Sequence, residues 1–240
     1  MRPIHRGESP IVGDFENYRD SFPYLVARLG SFCSFCERRI ATNLAVEHIQ
    51  PKAVGLYPEL KGRWENFLLG CVNCNSTKGD KDVRLNRHYL PDRDNTFYAF
   101  SYLPDGTVQP RGGLTNLQKE TATRTLELTG LDKARSVATD EHGNEVAIDR
   151  VGQRMETWLT AEMSKQDLAE SPTEAFRRQI VRTAIEAGYF SVWMAVFEDD
   201  AAMRQLLIEG FTGTAEDCFD QDTQPVTPRP DFGLTSGGKI

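Results

Sequence analysis

Four of the five cysteines in the 240-residue chain fall as Cys33-x2-Cys36 and Cys71-x2-Cys74, with 34 residues between the pairs. Two such knuckles suit a tetrahedral zinc site with Zn–S bonds of about 2.3 Å, whereas thiol redox chemistry needs only one pair. The spacing predicts structural Zn²⁺ on Cys33, Cys36, Cys71 and Cys74 and leaves Cys218 as a lone, buried or incidental cysteine. A four-cysteine site has no open position, so this metal would hold the fold and leave any reaction to other residues. Candidates lie in or just beyond the loop that the knuckles close. Glu47 and His48 stand side by side in "LAVEHIQPK", Asn66 sits in "RWENFLLG", and Asn75 directly follows the last knuckle cysteine. A histidine with an ordinary pKa near 6.5 can take a proton at neutral pH, and carboxylate and amide oxygens are hard ligands for a divalent cation. Lys52, Lys78 and Lys81 are placed to meet phosphates. Each residue alone has a plainer reading: a satisfied strand-end histidine, two asparagines capping helices, and lysines on a solvated face.

The elements that must position these residues follow from pattern. "ATNLAVEHI" reads as a β-ribbon ending at Glu47 and His48, where neighbouring side chains point to opposite sides and can serve different tasks. "CVNCNSTKGD" reads as the start of a short helix carrying the second knuckle. Upstream, residues 14–30 read as a helix stopped by Gly30 and broken or restarted at Pro23. Downstream, "NTFYAFSYLPDGTVQP" predicts a hairpin about Asp105-Gly106. Residues 114–131 predict a helix with Leu117, Thr121, Leu126 and Leu128 near one face and Gly130 as its stop. From Asp149 the chain reads as helical, with a capping box on Ser171, Pro172 and Glu174, and with Phe190, Trp193 and Phe197 as core. The last 20 residues, rich in Pro, Gly and Thr, are expected to be disordered.

The formal net charge of -7 hides an asymmetry. Residues 37–93 hold ten Lys/Arg against seven Asp/Glu, and residues 94–240 hold 14 against 24. A polyanionic partner therefore belongs with the first part. No stretch approaches the roughly 18 apolar residues that span a bilayer, which points to a cytoplasmic protein without a membrane role.

The order CxxC, acidic-His, Asn, CxxCN, Lys resembles the HNH endonucleases in their four-cysteine zinc form. The resemblance implies an α+β fold in which a ββα-metal core is embedded in a mainly helical protein. By position, His48, Asn66 and Asn75 correspond to the three motif residues, and Glu47 stands where the family more often has Asp. These positions imply His48 as the base that activates water, Asn66 orienting its ring through a hydrogen bond, and Mg²⁺ or Mn²⁺ on Glu47 and Asn75. Together "MRPIHRGESP", "CSFCERRIATNLAVEHIQPK" and "RWENFLLGCVNCNSTKGDK" resemble the HNH nuclease subunits of the Septu anti-phage and retron systems over about residues 1–95. That resemblance implies an ABC-type ATPase partner, with the acidic helical part as a docking surface. The expected division is residues 1–95 as nuclease domain, 96–220 as hairpin and helical docking domain, and 221–240 as tail. DNA is the favoured substrate; an RNA- or tRNA-cleaving nuclease and a non-catalytic zinc-ribbon module are the alternatives.

Overall fold

A computed structural model of the chain describes residues 1–52, 55–230 and 233–240. The fold is α+β, as expected, with two-stranded antiparallel ribbons set among helices. After a 3-10 turn at Tyr18–Ser21, α1 spans Phe22–Leu29, so the helix expected from residue 14 starts later. Pro23 lies in its first turn, where a missing N–H leaves no hydrogen bond unmade, and Gly30 ends it. Strand β1, Ala45–His48, pairs with β2, Phe67–Gly70, in a register that sets Val46 opposite Leu69 and His48 opposite Phe67. Every residue of β2 is buried, which fits its unbroken apolar run. Gly70 is needed for close approach, because a Cβ there would lie 2.9 Å from that of Glu47. Helix α2, Val72–Lys78, follows at once and ends at Gly79.

Helix α3, Thr96–Ala99, leads into the expected hairpin of β3, Phe100–Tyr102, and β4, Val108–Pro110. Its Gly106 has φ +75°, and a Cβ there would come within 2.2 Å of the Val151 carbonyl oxygen. Helix α4, Asn116–Thr129, has a capping box on Thr115 and Gln118 and stops at left-handed Gly130. Leu117, expected on the apolar face, is exposed, and that face is built from Ala122, Leu126, Leu128 and buried threonines. A ribbon of β5, Ala138–Thr139, and β6, Glu145–Val146, precedes α5, Arg150–Glu170. The remaining helices are α6, Glu174–Ala187, α7, Phe190–Val196, and α8, Ala201–Gly210. The cap of α6 is Thr173, whose side chain accepts from Phe176 N, while Ser171 closes α5. Pro172 disfavours helical backbone at the residue before it, which ends α5 at Ser171.

Two cores result. The first gathers the knuckle cysteines with Phe35, Trp64 and Leu69, but also Phe100 and Val108 of the hairpin and Leu126 of α4. The second holds Phe190, Trp193 and Phe197 as expected, with Leu207 and Cys218. The expected boundary at residue 95 therefore cuts through the first core, because the hairpin and α4 cover the knuckles. Glu37, directly after Cys36, joins the two: its buried carboxylate accepts from Ser191 N at 2.8 Å, Ser191 Oγ at 2.6 Å and Tyr102 OH at 3.2 Å.

The expected disorder of residues 221–240 is corrected, apart from residues 231–232, which lie outside the described residues. Arg229 donates to the carbonyls of Pro91 and Ile4, both at 2.9 Å, and Lys239 Nζ is 2.8 Å from Asp94 Oδ2. Composition predicted too little apolar surface for order, but polar bonds to buried backbone and the fully buried Ile240 fix this segment. Among the described residues, no helix is long and apolar enough to cross a membrane.

Candidate active site

The chain brings the four knuckle sulfurs within 4.8 Å of one another, all buried, and among the described residues this is the one cluster of His, Cys, Asp or Glu that could hold a metal. Cys36 Sγ lies 3.7 Å from Cys71 Sγ. The edge of a tetrahedron with Zn–S bonds of about 2.3 Å is about 3.8 Å, so the donors fit a four-thiolate metal. The backbone supports them, since Cys71 N donates to Cys33 Sγ and Cys74 N to Cys71 Sγ, both at 3.4 Å. Arg150, at the start of α5, donates to Cys74 Sγ at 3.0 Å and to the carbonyls of Thr129 and Gly130. Burial works against its charge, yet the neighbouring sulfurs raise its pKa on balance. Sequence reasoning missed Arg150, which is 76 positions from Cys74 and carries no motif.

Beside this cluster, β1, α2 and the Tyr18 turn enclose a cavity of about 490 Å³ whose lining includes Glu47, His48, Lys52 and Asn75. The His48 ring is held on three sides. Its Nε2–H donates to the Lys61 carbonyl at 3.0 Å, and Tyr18 and Phe67 pack against it edge-on at 4.8 and 5.1 Å. With Nε2 bearing the proton, a neutral ring presents Nδ1 as its lone-pair nitrogen. Burial lowers the His48 pKa, the carbonyl bond opposes this, and Lys52 and Lys78 lower it further. The neutral ring is thus the favoured form.

Asn66 does not bond the His48 ring, which corrects the expectation. Its Oδ1 accepts from Gln50 N at 2.8 Å, and its Nδ2 donates to the carbonyls of Gln50 at 3.0 Å and Leu60 at 3.3 Å. It therefore anchors the peptide next to the Lys61 carbonyl and acts on His48 at one remove. Backbone carbonyls leave no mark in side-chain pattern, so the sequence could not show this.

Lys78 lines the same cavity and is not on a solvated face: its Nζ lies 2.8 Å from Glu47 Oε1, and both side chains are 3% exposed. The reason is the helical repeat of α2, which points residues 74 and 78 inward. Lys52 is exposed, with Nζ 3.7 Å from the Tyr18 ring centre at the cavity. Lys81 is exposed and not among the residues that line the cavity.

Burial raises the Glu47 pKa and Lys78 only partly offsets this. Glu47 Oε2 and the Asn75 side chain have no hydrogen-bond partner among the described residues. A spare carboxylate oxygen and a spare amide oxygen in one cavity fit a hard divalent cation with water and phosphate completing its shell.

Known proteins share this segment. Residues 33–81 match the family described as HNH endonuclease. The matched stretch begins at the first knuckle and runs through β1, β2 and α2, so it covers every donor of the two clusters. A protein named "Retron Vc95 putative HNH endonuclease" from Vibrio cholerae serotype O1 biovar El Tor is 28% identical over 109 residues, which is 43% of this chain and 53% of that protein. The chain thus spans about half the length of the curated relative it matches.

Proposed function

We propose that the chain is a metal-dependent HNH endonuclease that hydrolyses phosphodiester bonds of nucleic acid, DNA before RNA. The observation that carries this is the His48 ring, whose Nε2–H is committed to the Lys61 carbonyl while the ring lies in the cavity with an unpartnered Glu47 oxygen and the Asn75 amide. In this reading Nδ1 of His48 takes the proton of a water that attacks phosphorus, as a base whose neutral form predominates near pH 7. Asn66 keeps the Lys61 carbonyl in place and so fixes the ring. A Mg²⁺ or Mn²⁺ on Glu47 and Asn75 would supply positive charge for the phosphate and the leaving oxygen. Lys52 pairs with a neighbouring phosphate. Zn²⁺ on the four cysteines holds β2 and α2 together under the site.

We further propose that the chain is the nuclease arm of a cytoplasmic anti-phage complex with an ABC-type ATPase, of the Septu kind. Support comes from the resemblance over residues 1–95 and from the word retron in the name of the matched relative. The acidic helical part supplies the docking surface in this reading, with Leu159 and Met163 exposed one turn apart on α5.

The test is cleavage of plasmid and of tRNA by the full chain with Mg²⁺, alone and with its ATPase. His48→Ala is expected to lose about 10²- to 10⁴-fold in rate at unchanged zinc content and melting temperature. Cleavage that EDTA abolishes but His48→Ala retains overturns the assignment of the base. Cutting of tRNA with plasmid left intact decides for RNA.

A further inference from the structure

A second cavity, of about 460 Å³, lies between the β3–β4 hairpin, α7 and α8 and shares no lining residue with the Glu47–His48 cavity. Among the described residues, its two arginines form no ion pair. Arg111, just after β4, and Arg204, on α8, place their guanidinium carbons 5.9 and 5.7 Å from the centre of one Phe97 ring. Arg204 is 3% exposed, and its Nε is buried without a hydrogen-bond partner. Among the described residues neither guanidinium forms a hydrogen bond or an ion pair, and both lie against aromatic faces. Buried Arg2 is the contrast, since it donates to three carbonyls and to Thr214 Oγ1. Burial lowers the pKa of both cavity arginines, and the charge of Arg111 lowers that of Arg204 further, while Glu198 and Asp220 oppose this at Arg204 only in part. A buried and a half-buried guanidinium side by side, with no carboxylate bonded to either, are costly unless a ligand fills their N–H donors.

Glu198 and Asp220 favour the Arg204 charge from a distance, but no nearby carboxylate bonds either guanidinium. Asp199 is bound to Lys165 Nζ at 2.6 Å, and Glu198 is exposed and bonded to neither arginine. We propose that this cavity binds the phosphate group of a small phosphomonoester, with Arg111 and Arg204 as its two forks. A guanidinium matches phosphate with paired N–H donors, which an aromatic face cannot replace. The volume falls in the range of about 300 to 1,000 Å³ usual for small-ligand pockets and suits a mononucleotide-sized molecule. A nucleic-acid strand fits less well, because one arginine is almost fully buried and the carboxylates at the cavity would repel a run of phosphates. The site stands whether or not the Glu47–His48 cavity cleaves nucleic acid.

The test is calorimetric titration of the full chain with 5′-AMP, inorganic phosphate and adenosine at constant ionic strength. It is run in a Lys52→Gln background so that phosphate near His48 is not counted. Arg111→Gln is expected to weaken 5′-AMP binding by about tenfold or more, and Glu198→Gln to tighten it, with melting temperatures showing both variants folded. Because Arg204 is buried, Arg204→Lys is used in place of truncation and is expected to weaken binding in the same direction. No binding of 5′-AMP or phosphate up to about 10 mM, adenosine binding as well as 5′-AMP, or 5′-AMP binding indifferent to Arg111→Gln overturns the proposal.

Discussion

The cysteine cluster and the Glu47–His48 cavity are neighbours built on the same strand and helix, yet they use their donors in opposite ways. The sulfurs are all buried, mutually close and supported by backbone N–H groups and Arg150, with no side left open. In the cavity, one carboxylate oxygen, one amide and one ring nitrogen have no hydrogen-bond partner among the described residues. A single helix separates the two, since Cys74 faces the sulfurs and Asn75, one residue on, reaches the cavity. Closed donor sets stabilise and open ones react, and the one-residue step along α2 turns one into the other. The sharpest way to break this division is Cys71→Ser. Structural zinc sites contribute on the order of 10 kcal/mol of folding free energy. The variant is therefore expected to lose zinc and the cooperative melt of the first core together, read by metal analysis and circular dichroism. A folded, zinc-free Cys71→Ser would sink the idea that this cluster is the scaffold.

Behind the cavity lies a second, metal-free scaffold. Asp92, 2% exposed, is 3.2 Å from Arg6 and 2.9 Å from Arg93. Arg6 also donates to the Phe67 carbonyl at 2.6 Å, in the strand residue opposite His48. Burial alone would raise the Asp92 pKa, but Arg93 and Arg6 more than offset it and hold it below the ordinary carboxylate value. A depressed folded-state pKa stabilises the native protein above the unfolded value, and that stability drains away as pH falls through the folded one. Asp92→Asn leaves two buried guanidinium groups facing a neutral amide and is expected to cost about 3 to 5 kcal/mol at pH 7. The gap between variant and parent in urea unfolding should be full at pH 7 and narrow below roughly pH 4. A gap that stays constant with pH would show that the carboxylate charge is not what holds β2.

The two clusters also differ in how far they could be read from sequence. Cysteine spacing states its own geometry, so Cys33, Cys36, Cys71 and Cys74 were placed together with no knowledge of the fold. Glu47 and His48 were legible as a strand end for the same local reason, and the β1–β2 ribbon, the Asp105-Gly106 turn and most helices followed from periodicity and stop residues. What was not legible depends on contacts far apart in the chain. The Lys61 carbonyl that holds His48 is 13 residues away and has no side-chain signature. The Glu47–Lys78 ion pair needs the pairing of β1 with β2 before α2 can bring the lysine over. The tail was misread because Arg229 and Ile240 order it through buried partners that composition does not count.

Asn66 tests the middle of that range, since its position was legible and its bond was not. Its side chain closes three hydrogen bonds to Gln50 and Leu60. Asn66→Ala strands their partly buried backbone groups and is expected to cost about 1 to 3 kcal/mol. Because the His48 ring keeps its bond to Lys61, the cleavage rate should fall, but by less than in His48→Ala. Equal losses in both variants would mean that Asn66 touches the reacting groups after all.

The smallest effect is expected at Lys52, on the open side of the comparison. Its ammonium rests on the face of Tyr18 beside the cavity and is exposed, in contrast to Lys78, which is sealed against Glu47. An exposed cation that meets one phosphate contributes to binding mainly by releasing a counterion, so its loss should flatten the plot of log affinity against log salt by about one. Lys52→Gln should therefore weaken nucleic-acid binding at low salt, leave it nearly unchanged at high salt and spare the rate of the bound substrate. The measurement is a filter-binding salt series with a nucleic acid, run without divalent metal so that cleavage does not intrude. An unchanged salt slope with a lower rate would move Lys52 from phosphate contact to the reaction itself, and the open cavity would then hold a second charge acting on the scissile group.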